Sequence, residues 1–190
     1  MYRHLDSAIE RYYRQHNICF PHDIDLEALA EENGIPVRYL PRSSKAYELK
    51  GGRHLIIVDS RVDYRQQRVE LAHELGHVLL HTGTQWHLPA LFRVKEERQA
   101  EHFAMCALAP TFMLLPMIEE GADRRVLAAR LADEFRVPEA FMDRRLDLLR
   151  AQLEYAPSRA RLQIAESCAR YGFAVWITIA LSTLGGLAAC

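Results

Sequence analysis

Residues 73–77 read His73-Glu74-Leu75-Gly76-His77, inside the longer run Leu71-Ala72-His73-Glu74-Leu75-Gly76-His77-Val78-Leu79-Leu80-His81. On a helix, positions four apart lie one turn apart on the same face, so His73 and His77 can share one ion. Glu74, beside the first imidazole, can be angled towards a water at that ion and act as its base. Five residues with three fixed positions also arise by chance, so the surroundings matter. Val69, Leu71, Ala72, Leu75, Val78, Leu79 and Leu80 supply the apolar positions of a buried helix, and Gly76 allows a second element to approach closely. A core helix carrying two hydrogen-bonded histidines is the plainer alternative, but it gives no packing reason for the polar side chains or the glycine.

A catalytic zinc site takes three protein ligands and keeps the fourth position open, so a third donor is expected further along the chain. Glu96, Glu97 and Glu101 are the candidates, in a stretch whose Ala100, Phe103, Ala104 and Ala107 form an apolar helical stripe. Glu97 and Glu101 share a face, so one can bind metal while the other orients a histidine. His81 and His102 are further possible donors, each with a plainer role in hydrogen bonding or at the surface. Between His77 and Glu97 lies room for a loop containing Gly83 and Pro89.

With these residues in hand, the chain resembles the ImmA/IrrE family of bacterial zinc metallopeptidases. Two segments carry the resemblance: the run from Leu71 to His81, and the run from Glu97 to Ala104 followed by Leu108-Ala109-Pro110. The match implies that Glu97 is the third metal ligand beside His73 and His77, with Glu74 catalytic. Glu101 stands where the family more often has asparagine or aspartate, and Ala109 where methionine is common. The resemblance covers roughly residues 23–149. It implies an α+β fold, with a gluzincin-like, mainly helical metallopeptidase core, a small β-sheet and a C-terminal helical appendage. It further implies cleavage of a cytoplasmic transcriptional repressor, often a helix-turn-helix protein governing a mobile element or a stress response.

Upstream of the motif, Ile24-Asp25-Leu26 opens a predicted helix running through Glu32, Gly34 can cap it, and Ile35 to Leu40 reads as a short strand. Two more strands are expected at Tyr47 and at His54–Asp59, joined by a hairpin at Gly51-Gly52. Polar residues from Arg61 to Gln67 begin the metal helix. A sheet edge between Tyr39 and Val58 is where an extended peptide is expected to lie, although the sequence leaves open which edge is free.

With 190 residues and 49% hydrophobic composition, the chain can bury a core in one domain, or in one domain plus a small helical appendage. The divisions drawn from the sequence are a metallopeptidase domain over 1–118, a helix-turn-helix-like subdomain over 119–153, and a linker with an apolar tail over 154–190. A formal charge of -1 provides no overall field towards phosphate. Cys19, Cys106, Cys168 and Cys190 lack paired metal spacing, and no secretory segment begins the sequence, which points to the cytoplasm.

Val126, Leu127, Leu131 and Phe135, then Phe141, Met142, Leu146 and Leu149, recur at helical spacing on either side of Val137-Pro138. This resembles a helix-turn-helix, and the family often carries such a pair, ending in an arginine-leucine step that here is Arg145-Leu146. From Asp123 to Arg150 seven arginines face six acids, too even a balance for a groove-reading surface, so a packing role is favoured over direct DNA binding. Residues 172–190 carry no charge and can just cross a hydrocarbon layer, with Arg159, Arg161 and Arg170 as a cytoplasmic flank. Ser182, Thr183, Gly185 and Gly186 dilute that run, so a C-terminal membrane anchor, a buried helix and a loose tail are all compatible with it.

Three functional classes are compatible with these features: a zinc endopeptidase, a non-hydrolytic metal-binding regulator, and a DNA-binding module with an inactive peptidase site. The intact Glu74 favours the first, because peptide hydrolysis needs proton transfer from water to the leaving amine and a structural site does not. One Zn2+ is expected, and imidazole and carboxylate ligands also accept Mn2+ or Fe2+.

Overall fold

The computed structural model describes residues 3–80, 90–119 and 121–154. The chain separates into two compact units, Met1–Leu108 and Ala109–Cys190. The fold is α+β and mostly helical, as expected.

In the first unit, α1 (Arg3–Gln15) and α2 (Leu26–Glu32) precede three strands, β1 (Val37–Leu40), β2 (Lys45–Leu49) and β3 (Arg53–Asp59). Two long helices follow, α3 (Tyr64–Leu80) and α4 (Ala90–Leu108). Asp25 caps α2, its carboxylate accepting from the Glu27 and Ala28 N–H groups. Asp63 does the same for α3, accepting from Arg65 and Gln66. Gly51 and Gly52 both have positive φ, which is why this dipeptide can turn β2 tightly into β3.

The strand order is β1-β3-β2, with β1 parallel and β2 antiparallel to β3. The three expected strands are therefore present, but neither the central place of β3 nor the parallel pairing of β1 can be read from composition and spacing. Ile56, Ile57 and Val58 of the central strand are buried, as are Leu71, Ala72 and Leu75 of α3 and Ala100, Phe103, Ala104 and Leu108 of α4. These side chains form the core beneath the metal motif. Tyr13 of α1, itself buried, donates its hydroxyl to the Ala107 carbonyl at 2.6 Å, satisfying one of the terminal carbonyls that α4 cannot pair internally.

In the second unit, α5 (Thr111–Leu114), α6 (Arg124–Phe135) and α7 (Glu139–Glu154) follow one another. Asp123 caps α6, and Arg136 ends it with a φ of 54°. Leu127, Leu131 and Phe135 are buried, together with Phe141, Met142, Leu146 and Leu149 of α7. Val126 departs from the expected stripe and is exposed, because the buried face of α6 runs through Leu127, Ala128, Leu131, Ala132 and Phe135. Arg145 is wholly buried, its Nε donating to the Ala109 carbonyl and its Nη2 to the Thr111 hydroxyl, each at 2.8 Å.

Among the described residues no single helix is long and apolar enough to cross a membrane. The apolar run 172–190, read above as a potential anchor, lies outside the described residues, as do the loop carrying Gly83 and Pro89 and the alternative donor His81.

Candidate metal centre

Gly76 sets the distance between α3 and α4. A Cβ at this position would lie 2.9 Å from the Ala100 Cα, 3.1 Å from its carbonyl oxygen and 3.2 Å from the Phe103 Cβ. Only glycine permits so close a backbone approach, and Ala100 completes it from the other side. The contact brings Glu97, three residues before Ala100, over His73, three residues before Gly76, and over His77, the residue after it.

One ligand atom from each of His73, His77 and Glu97 lies within 4.8 Å of the other two. The two Nε2 atoms are 3.0 Å apart, and the Glu97 Oε2 stands 3.3 Å from His73 Nε2 and 3.5 Å from His77 Nε2. Tetrahedral zinc with ligand arms of roughly 2.0–2.1 Å has ligand-to-ligand edges of about 3.3 Å. The triangle of donors therefore fits one face of such a site, and two imidazoles and a carboxylate are the donor types zinc prefers. His77 is 9% exposed, His73 29% and Glu97 57%, so the cluster is buried at the imidazole end and open to solvent on the Glu97 side. A closed structural site would lack that opening.

Glu74 lies beside this triangle. Its Oε2 accepts the backbone N–H of Ala46, on β2, at 2.7 Å. Burial pushes the Glu74 carboxyl above the usual carboxylate range and the Glu97 charge adds to this, while the Ala46 N–H, His73 and Lys45 pull the other way. A carboxyl raised in this direction holds a proton more readily than an exposed one, as a group that takes and returns a proton must.

The other candidates lie elsewhere. Glu101 is exposed and outside the cluster, and Glu96 is half-buried and outside it too. His102 is buried with its Nε2 3.5 Å from the Cys106 Sγ, so it belongs to the core of α4.

Sequence reasoning missed the partners that hold β2 against the metal helix. Glu70, one turn before Glu74, receives a hydrogen bond from the Ser44 hydroxyl, and Ser44 Oγ in turn accepts the Asp59 N–H at 2.8 Å. Two carboxylates a turn apart on α3 thus grip the chain at residues 44 and 46. The four-residue spacing of Glu70 and Glu74 was the available signal. A backbone N–H partner such as that of Ala46 leaves no trace in sequence.

Ile56, the register partner of Ala46, donates its N–H to Pro36 at 3.0 Å on the β1 side, and Ala46 donates away from β3 to Glu74. Strand β2 is therefore the edge that borders the site.

The profile of the IrrE N-terminal-like domain of the M78 peptidases matches residues 30–147. The chain is 34% identical over 145 residues to the phage-like element PBSX protein XkdA of Bacillus subtilis (strain 168), covering 76% of this chain and 72% of that one. It is 31% identical over 149 residues to the protein YqaB of the same organism, covering 76% of this chain and 83% of that one. Both segments that carry the resemblance, the histidine helix and the glutamate helix, fall inside the profile match, and the chain belongs to the M78 peptidase family, that is, the ImmA/IrrE family.

Proposed function

We propose that this protein is a zinc-dependent endopeptidase that cuts a cytoplasmic regulator, with a helix-turn-helix repressor of a mobile element as the leading class of substrate. The observation carrying this reading is the convergence of His73, His77 and Glu97 with Glu74 beside them and solvent access on one side. The relative XkdA bears the name of a phage-like element, which supports the mobile-element setting.

In this reading His73, His77 and Glu97 hold the ion, and Glu74 is the base. Bound zinc supplies Lewis acidity towards a carbonyl and acidifies water. Glu74 takes a proton from the attacking water and passes it to the departing amide nitrogen, while the Ala46 N–H fixes the direction of its carboxylate. The outer edge of β2 receives the substrate backbone as an added strand beside the Ala46–Glu74 contact, which puts the scissile bond alongside the donors. The even charge of α6 and α7 and the burial of Arg145 favour a packing role for that pair over DNA reading.

Glu74→Gln tests the mechanism, because it keeps the shape and the hydrogen-bond acceptor for Ala46 but cannot serve as the base. The variant is expected to bind one equivalent of zinc and to retain, in capture experiments, a regulator that the parent protein cleaves. Cleavage should fall by roughly 100-fold or more. Equal cleavage by both proteins would refute the role of Glu74, and tight binding without cleavage by the parent would move the assignment to a non-hydrolytic regulator.

A further inference from the structure

Between Arg38 and Arg53 the chain carries five cationic side chains, Arg38, Arg42, Lys45, Lys50 and Arg53, against the single acid Glu48, although the whole chain has a net charge of -1. All five are exposed. The segment runs from β1 through β2 to the first residue of β3, so the excess positive charge is concentrated on the sheet that borders the metal centre.

Strand register sorts these charges by face. Arg38 on β1 and Lys45 on β2 are both register partners of Ile57 on the central strand, so they flank it on one side of the sheet. Arg53, four residues before Ile57 on β3, lies on that side too, and so does Tyr47, the partner of Leu55. Arg42 reaches the same place from the β1–β2 connection: its guanidinium sits 5.4 Å from the centre of the Tyr47 ring and donates to the Tyr47 hydroxyl, and the Lys45 ammonium lies 6.0 Å from that ring. The result is a face carrying four cations, two of them, Arg42 and Lys45, at the Tyr47 ring, and it reaches to the strand edge where Ala46 meets Glu74.

We propose that this face selects an acidic substrate segment, one whose Asp or Glu side chains recur at alternate positions through the stretch paired with β2. The inference deepens the endopeptidase reading and rests on it. A peptide added to the β2 edge projects every second side chain to the Lys45 and Tyr47 side, so an alternating acidic pattern meets the cations while its backbone meets the strand. Charge complementarity of this kind raises the rate of encounter and rejects neutral or basic segments. A peptide is favoured over nucleic acid because the cations border an outer strand edge and the proposed peptidase centre.

The probe is a fluorescent peptide of about ten residues alternating Glu and Thr, compared with its Gln and Thr counterpart, on the full-length, zinc-loaded Glu74→Gln protein, which cannot consume it. The acidic probe should bind about tenfold more tightly at low salt, and the advantage should shrink as salt is added. The pair Arg38→Glu with Lys45→Glu should abolish the preference without changing the zinc content. A milder pair, Arg42→Gln with Arg53→Gln, should reduce it and guards against a folding defect in the first. Equal binding of the two probes, or an undiminished preference in both variants, would overturn the inference. So would displacement of the acidic peptide by an equal concentration of oligothymidylate of similar length, which would assign the face to nucleic acid. Because binding is read without hydrolysis, failure of the parent protein to cleave any regulator would count against the endopeptidase reading alone.

Discussion

Glu97 is the most exposed donor of the cluster, and the one whose role was hardest to assign from sequence. His73 and His77 could be paired from their spacing because a helix fixes their relation locally. Three glutamates within six residues could each serve as the third donor on local grounds, and only the packing of α4 on α3 separates them: Glu97 faces the imidazoles, and Glu96 and Glu101 lie outside the cluster. Glu97→Ala removes one of three protein donors and should weaken zinc binding by at least about 100-fold, beyond the loss typical of an outer partner. Glu101→Ala should change it little. Competition titration against a chromogenic chelator measures both, and comparable losses in the two variants would mean that the third donor has been misassigned.

Helices α3 and α4 build the centre through a contact only a glycine allows, so the element scale has its own test at Gly76. Alanine there gains about 1 kcal/mol of intrinsic helix preference. Its Cβ would meet the Ala100 backbone, which cannot swing aside as a side chain would, and overpacking of this sort costs about 1–3 kcal/mol. The clash should prevail, lowering the unfolding midpoint of the metal-free protein and moving Glu97 off the imidazoles, so zinc affinity should fall at least about tenfold although no ligand has changed. Chelator titration together with thermal unfolding checks this, and unchanged affinity would show that the two helices are not held at a critical distance. The need for a close approach at Gly76 could be read from sequence, since a glycine within an apolar helix has few other uses. The partner, Ala100, could not, because residues 24 apart meet only through tertiary packing. The same limit applies to the sheet: β3 was readable from its apolar run, but its central position depends on which neighbours pair with it.

At the scale of the whole molecule, the periodic apolar residues after Pro110 predicted a helix pair but not the polar group at its centre. Arg145 was legible only as part of a family-like step with Leu146, and an arginine in such a pair is ordinarily read as a surface charge. The structure buries it completely in the second unit, where its fork of donors joins α7 to the Ala109 carbonyl and the Thr111 hydroxyl at the start of that unit. A buried guanidinium is costly unless hydrogen-bonded, and removing it leaves two buried acceptors without their donor. Arg145→Met fills much of the same volume and should therefore still destabilise the protein by about 2–4 kcal/mol, from the two abandoned partners. Arg145→Lys should recover only a small part of this, because an ammonium lacks the planar fork that reaches both acceptors. Urea unfolding curves of the three proteins measure the effect. At low urea, where all are folded, each should still bind one equivalent of zinc, because Arg145 takes no part in the cluster of His73, His77 and Glu97. If Arg145→Met were as stable as the parent, the buried arginine would not be what fastens α7 to Ala109 and Thr111, and its burial would need another cause.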